Sequence, residues 1–229
     1  MRIETGLGVV HLFLRPAAAG GTVDREAVAS AVKAAEADDV QVITAALLGH
    51  KADLAVMALH PDWATLRRLQ SDLRAAGLDV VDSYVSITEV SEYAKGMPEP
   101  MLQERLYPTL PPAGKPIFCF YPMSKRRAAH ANWYATPFAE RNQMMREHGA
   151  SGRTFAGKVV QLITGSTGLD DFEWGVTLFA LTPEVVKDVV YTMRFDKASA
   201  LYGEFGRFYV GYVTDISSAL DGLTRSIST

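Results

Sequence analysis

The sequence has little that would support a disulfide framework, a membrane span or a nucleic-acid surface. Cys119 is the only cysteine in 229 residues, so disulfides do not stabilise the fold and a reducing compartment is expected. No uninterrupted apolar stretch reaches the roughly 18 residues that a membrane helix needs. The formal net charge is -3, which argues against a nucleic-acid partner because phosphate binding needs a concentrated basic surface.

Several signals and catalytic motifs are also missing. Residues 1–6 lack the charged, apolar and small-residue pattern of a secretory signal, and we therefore expect a soluble cytoplasmic protein. The sequence has no G-x-S-x-G elbow, no Walker A loop and no G-x-G-x-x-G after a predicted strand. These absences exclude the commonest hydrolase, nucleotide-binding and dinucleotide-binding classes.

Hydrophobic periodicity predicts the order strand, helix, strand, strand, helix, strand twice. In the first half the predicted strands are 9–14, 40–47, 54–59 and 80–90, with helices at 24–37 and 61–77. In the second half the predicted strands are 117–121, 159–164, 172–180 and 205–212. The helices there are 137–149, capped by Thr136, and 183–193, with a helical turn near 198–202. The sequence therefore predicts an α+β fold of tandem ferredoxin-like repeats.

The Pro-rich connection 96–116 is the predicted boundary between the halves. We expect an N-terminal scaffold at 1–110 and a C-terminal half at 111–229 that carries the chemistry, because the residues with chemical potential concentrate there. His11, His50 and His60 lie at predicted strand ends or in a turn without metal-ligand spacing, and are interpreted as structural or solvated, as is His130.

His148 is a candidate metal ligand near the end of a predicted helix. Met144 and Met145, four and three residues earlier, place soft apolar side chains on its face of the helix. Such surroundings suit an axial heme ligand, which must be ordered and shielded from water. The alternative is that the helix dipole alone favours a histidine in a last turn, just before Gly149.

Tyr121, Met123 and Lys125 alternate from the end of a predicted strand, so an extended chain would place all three on one side. A phenol, a thioether and an ammonium facing one cavity suit a large, flat, anionic and oxidisable ligand. The alternative is a strand-end tyrosine followed by a solvated basic turn.

Four polar residues remain ambiguous from their positions alone. Gln161 shares a strand face with Val159 and Ile163, so its amide either lines a pocket or bonds to backbone at a strand edge. Arg194 and Ser199 follow the last long helix with Asp196, to which Arg194 could simply pair at the surface. Arg105 is equally ambiguous in its predicted loop.

Seven short motifs in order resemble the coproheme decarboxylase branch of the chlorite dismutase superfamily. They are YPMSKRR at 121–127, NWY at 132–134, HG at 148–149, GKVVQLITGS at 157–166, DDFEWGV at 170–176, MRFDKAS at 193–199 and GEFG at 203–206. The resemblance implies a dimeric-α+β-barrel subunit, a homopentamer, and one iron porphyrin in the C-terminal half. It also implies peroxide-dependent conversion of two propionates of coproheme III to vinyls, giving heme b, and transient contact with the preceding ferrochelatase.

The resemblance also implies a role for each candidate residue. His148 matches the iron ligand, Tyr121 the tyrosine that becomes a radical, and Lys125 a catalytic residue beside the reactive propionates. The positions that bind or orient the substrate are matched by Arg105, Met123, Gln161, Arg194 and Ser199.

Gln161 distinguishes among related activities. Chlorite dismutases place an arginine at this position, and a neutral amide cannot supply that charge. The alternatives are a chlorite-degrading or peroxidase-like heme enzyme, and a non-catalytic heme carrier or sensor, for which His148 would matter and Tyr121 would not.

Overall fold

The structure of this chain, a computed structural model, describes residues 4–17, 22–94 and 96–223. Its strands are β1 (Thr5–Pro16), β2 (Gln41–Leu47), β3 (Leu54–His60), β4 (Leu78–Glu89), β5 (Ile117–Lys125), β6 (Arg127–Ala128), β7 (Ala131–Asn132), β8 (Val159–Gly165), β9 (Trp174–Ala180), β10 (Gly203–Phe205) and β11 (Tyr209–Val213). Its helices are α1 (Arg25–Ala37), α2 (Trp63–Ala75), α3 (Glu99–Leu106), α4 (Phe138–Arg153), α5 (Pro183–Met193), α6 (Lys197–Ala200) and α7 (Ile216–Asp221). The predicted halves and the N-terminal segment include some residues outside the described ranges.

The main sheet closes into a barrel. Its neighbouring strands run β5-β11-β2-β3-β1-β4-β8-β9, and β9 pairs again with β5, while β10 extends the far end of β5. Within the first half the strand order is β4-β1-β3-β2, and within the second it is β11-β5-β9-β8. All of these pairings are antiparallel. The same order in both halves confirms the prediction of tandem ferredoxin-like repeats.

Strand alternation divides the apolar side chains between the barrel interior and the two outer faces. On β5, Phe118 and Phe120 belong to the interior cluster, whereas Cys119 and Tyr121 belong to a cluster on the outer face under α5. A third cluster packs α1, α2 and α7 on the outer face of the first half. The second half therefore has an outer face separate from the barrel core.

His11 lies in the middle of β1 and is buried in the barrel interior, rather than at a strand end as predicted. Its Nε2 is 2.9 Å from Thr177 Oγ1, and its ring centroid is 4.2 Å from that of Phe120. Burial lowers the pKa of His11 to about 3. This histidine is therefore a neutral core residue, which agrees with its structural interpretation.

Some element boundaries differ from the predictions. The connection 96–116 contains α3, and the strand predicted at 205–212 is divided into β10 and β11. Pro137 is the N-cap residue of α4, one position later than predicted, and the helix continues through Gly149 to Arg153. Gly149 does not adopt positive φ, whereas Gly157 does at 78°, so the left-handed turn comes later.

Among the described residues, no helix is both long enough and apolar enough to cross a membrane.

Candidate functional site

The outer face of β5 carries the candidate residues Tyr121, Met123 and Lys125. The strand extends through Pro122 to Lys125, so the alternation predicted for these three side chains holds. Tyr121 and Met123 pack in the outer apolar cluster, and Lys125 continues the same face toward α6. An extended β5 therefore presents a phenol, a thioether and an ammonium along one line.

Tyr121 is buried and contacts two aromatic rings. Its ring stacks on Phe208 with centroids 4.4 Å apart at 20°, and Phe205 lies 5.9 Å away. Burial is the main cause that raises the pKa of the Tyr121 hydroxyl, and the nearby Arg194 opposes the shift only in part. The side chain is therefore a neutral phenol in an ordered apolar site.

Lys125 is buried, with 6% of its surface exposed. Its Nζ donates to the Ala198 carbonyl at 2.6 Å and lies 4.7 Å from the centroid of the Trp133 ring. Burial lowers the pKa of Lys125 to about 8, although the charges of Asp196 and Glu173 oppose that shift. The alternative of a solvated basic turn is wrong for this lysine.

His148 lies on α4 with one ring nitrogen already engaged. Its Nδ1 is 2.9 Å from Asp196 Oδ2, and because a carboxylate only accepts, Nδ1 is the donor. That hydrogen bond fixes the tautomer in which Nε2 carries a lone pair and can bind a metal. Met144 packs with Trp133 and Ala198 in a small cluster beside this helix.

The helix-dipole explanation of His148 does not apply, because α4 continues past it to Arg153. The imidazole lies before the last turn, beyond the strongest field of the helix end. Its contact with Asp196, 48 residues along the chain, is what orients it.

Asp196 is a site residue, although its sequence position suggests only a surface ion pair with Arg194. It is the N-cap of α6, where its Oδ1 accepts from the Ser199 N–H at 3.0 Å. Burial opposes ionisation of Asp196, but hydrogen bonds from His148 and Ser199 and the charge of Lys125 hold its pKa below the usual value. The D-x-x-S spacing was a capping signal that could have identified this local role.

Arg194 and Ser199 lie on either side of Asp196. The Arg194 guanidinium stacks over the Phe205 ring at 4.0 Å, so the suggested surface pair with Asp196 is wrong. Ser199 is buried, and its Oγ is 3.4 Å from Asp196 Oδ2. Both residues therefore lie in the region shared by β5, α4 and α6.

Gln161 is on the same outer face of the sheet, two strands away from β5. It pairs with Leu178, which pairs with Cys119, and Ile163 similarly connects through Val176 to Tyr121. At about 4.8 Å between strands, Ile163 is roughly 10 Å from Tyr121. Gln161 and Ile163 are both exposed, so this part of the outer face is open.

None of the described contacts joins Arg105 to the other candidate site residues. It is exposed in the last turn of α3. The next residue, Leu106, accepts from Thr88 Oγ1 at 2.7 Å, and Thr88 pairs with Thr164 on β8. Arg105 therefore lies near the β4–β8 junction, at the border of the open face.

Within the described residues, no three His, Cys, Asp or Glu side chains converge to hold a bare metal ion. His148 offers a single free nitrogen, Nε2, on a ring oriented by a carboxylate. This would suit an iron whose remaining protein-independent ligands come from a macrocycle.

Comparison with known proteins gives a consistent assignment. The family model described as chlorite dismutase matches residues 23–214. Coproheme decarboxylase of Staphylococcus saprophyticus is 44% identical over 179 residues, covering 73% of this chain and 70% of that protein. A Natronomonas pharaonis protein, provisionally named as heme-binding, is 47% identical over 182 residues, or 72% of this chain but only 30% of the relative's length.

A solved heme-binding protein from Thermus thermophilus superposes with a TM-score of 0.85 and 36% identity, covering 96% of each chain. The sheet order, the family match and these relatives agree with one another. The chain belongs to the chlorite dismutase family.

Proposed function

We propose that this protein is a coproheme decarboxylase, which uses hydrogen peroxide to convert two propionates of coproheme III to vinyl groups and so forms heme b. The observation that carries the proposal is a buried phenol and a buried ammonium on one strand, together with a histidine that is bonded to Asp196 through Nδ1 and free at Nε2. The ammonium of Lys125 contacts the same short segment, at Ala198. The relatives named coproheme decarboxylase support it.

The residues of the outer face fit an iron porphyrin. His148 Nε2 would bind the iron, and the hydrogen bond from Nδ1 to Asp196 would orient the ring and leave the Nε2 lone pair for the metal. The open strand face at Gln161 and Ile163 would lie against the ring. When bound, the iron porphyrin and peroxide supply the two oxidising equivalents that each decarboxylation needs.

Tyr121 would carry the oxidation to the propionate. The phenol gives up an electron and its proton, and the resulting phenoxyl takes a hydrogen atom from the ring-attached carbon of the propionate, which restores the phenol. A second electron then leaves the substrate, the carboxylate departs as carbon dioxide and a vinyl group remains. One peroxide is consumed and two waters form for each propionate.

Lys125 and its neighbours would position the propionates. A protonated Lys125 pairs with the departing carboxylate, and its contacts with Ala198 and Trp133 hold Nζ in place. Arg194 and Ser199 would bind carboxylate oxygens, Met123 would contact the ring edge, and Arg105 would close the border of the site. Fixed placement of the target carbon beside Tyr121 is the main contribution expected of the protein.

Gln161 would face the peroxide side of the iron. An amide is not a base at neutral pH, so a water molecule or a substrate propionate would take the proton from peroxide. The neutral side chain also argues against chlorite degradation.

The remaining expectations belong to the same proposal. The C-terminal half, 111–229, would bind the porphyrin, and the N-terminal half, 1–110, would serve as scaffold. The protein would act in the cytoplasm as a homopentamer. It would receive coproheme from the preceding ferrochelatase by transient contact.

Incubation of the purified protein with coproheme and peroxide, followed by mass analysis of the pigment, tests the function. Successive loss of two carboxyl groups is expected. Oxygen release from added chlorite with the pigment unchanged would identify a chlorite-degrading enzyme instead. Binding of the pigment without either reaction would identify a heme carrier or sensor.

A further inference from the structure

A basic cleft lies at one end of the barrel and shares no lining residue with the site assigned to the porphyrin. It has a volume of about 340 Å³, within the range of small-molecule sites. Its lining is Arg15, His50, Lys51, Val81 and Arg207. Three cationic side chains and a histidine therefore surround one cleft, in a chain whose formal net charge is -3.

Backbone carbonyls, rather than carboxylates, hold two of these cations in place. Arg15 Nη2 donates to the carbonyls of His50 at 2.9 Å and Lys51 at 3.0 Å. Lys51 Nζ donates to the Phe208 carbonyl at 2.7 Å. A neutral acceptor orients a cation without cancelling its charge, so these groups keep donors and charge for a ligand.

Nearby carboxylates do not neutralise the cleft. Asp79 is the cross-strand partner of Arg15, and Asp82 accepts from the Tyr209 hydroxyl. In the described part of the chain, none of the four basic side chains lies within 4.0 Å of a carboxylate. No direct ion pair therefore occupies these basic groups, and a cleft lined by them can attract anions.

We infer that this cleft binds a small polyanion that presents phosphoryl or carboxylate oxygens. The planar guanidinium groups of Arg15 and Arg207 match the paired oxygens of either group, and Lys51 adds a point charge. Val81, which is 38% exposed, provides an apolar floor for a ligand with a carbon skeleton.

The cleft is also connected to the proposed catalytic tyrosine. The Phe208 carbonyl that accepts from Lys51 belongs to the residue whose ring stacks on Tyr121. An anion that draws Lys51 toward itself would act on the segment that packs against Tyr121.

Isothermal titration of the purified protein, without porphyrin, tests the site with two probes, pyrophosphate and citrate. The tighter probe identifies the oxygen chemistry. In the double variant Arg15→Gln/Arg207→Gln, affinity is expected to fall at least about tenfold, as for loss of one or more charge-assisted hydrogen bonds. Because Arg15 also holds the loop carbonyls, Arg207→Gln alone provides a milder variant that should weaken binding in the same direction.

The matched control is Lys33→Gln/Arg74→Gln, which removes the same charge from exposed positions on α1 and α2. It should bind as wild type does, as should Arg194→Gln at the porphyrin site. If wild type binds neither probe, or if the cleft variants bind as tightly as the controls, the inference is wrong. The readout is binding alone, so its failure is distinct from failure of the decarboxylase proposal.

Discussion

Tyr121 and Lys125 lie on the same strand, but burial affects their protonation in different ways. Burial raises the pKa of Tyr121, so the phenol stays protonated throughout the physiological range. Burial lowers the pKa of Lys125 to about 8, so a small change of pH near neutrality alters the charge of the group proposed to meet the carboxylate. Oxidation of the tyrosine must therefore remove a proton together with the electron.

We expect kcat/KM for decarboxylation to fall as the pH rises through about 8, because Lys125 loses its proton there. Arginine keeps its charge at that pH, so Lys125→Arg should retain activity above this limit even if its maximum rate is lower. The exposed Lys158→Arg serves as control and should keep the wild-type profile. An unchanged pH profile in Lys125→Arg would remove Lys125 from the proposed role.

Among the secondary structure elements, α4 controls the position of His148. The helix continues beyond Gly149, which is helical, to Arg153, and the turn that follows uses Gly157 at positive φ. A Cβ at position 149 would meet only Arg153 Nη1 at 3.4 Å, an ordinary contact. Glycine therefore makes the helix less stable than alanine would at this position, and no close contact requires glycine there.

Gly149→Ala is expected to stabilise the protein by about 0.5–1 kcal/mol, because alanine loses less backbone entropy on folding than glycine does. Gly157→Ala is the matched control and should destabilise, since its backbone adopts φ of 78°. Urea unfolding followed by circular dichroism measures both. A destabilised Gly149→Ala variant would contradict the helical assignment of this residue.

Most elements were predictable because each has a clear apolar period, as α1 does with Val28, Ala31, Val32 and Ala35 buried on one face. Helix α3 lacks that signal, since Leu106 is its only buried residue. The prediction that α4 ends at Gly149 is wrong, because a glycine favours a helix end through a positive φ, which Gly149 does not adopt. The backbone angle of a glycine cannot be read from the sequence.

The site was predictable to the extent that it is local. Alternation along β5 grouped Tyr121, Met123 and Lys125 correctly, because one strand sets their common face. The pairing of His148 with Asp196 was not predictable, because 48 residues separate them and only the packing of α4 against α6 brings them together. The stacking of Phe208 on Tyr121 likewise depends on tertiary structure.

At the level of the whole molecule, closure of the barrel buries a histidine that the unfolded chain exposes. Folding lowers the pKa of His11 from 6.5 to about 3. Between these two values the unfolded chain binds more protons than the folded one, so stability rises with pH across that window and falls on acidification. The barrel is therefore expected to be sensitive to acid.

Acidification from pH 7 to about pH 4 should cost about 3 kcal/mol through His11. Urea unfolding at both pH values should show that His11→Gln loses less stability than wild type does over this range. The exposed His130→Gln is the control and should lose as much as wild type. Equal acid sensitivity in all three proteins would contradict the assignment of His11 as a buried, neutral residue.

The arrangement of the whole molecule places a barrel core on one side of the C-terminal sheet and the proposed chemistry on the other. Tyr121 lies on that outer face, and His148 on α4 is bonded to Asp196 at the start of α6, which Lys125 also contacts. The proposal depends on oxidation passing from the bound iron porphyrin to this phenol and from it to the propionate.

The most direct test is decarboxylation by Tyr121→Phe, with Tyr191→Phe as a matched control on the exposed surface. Both variants are loaded with coproheme, given peroxide, and analysed by mass for lost carboxyl groups. We predict that Tyr121→Phe still binds coproheme but yields no heme b, while Tyr191→Phe converts it as wild type does. Conversion to heme b by Tyr121→Phe at a rate near that of wild type would contradict the account.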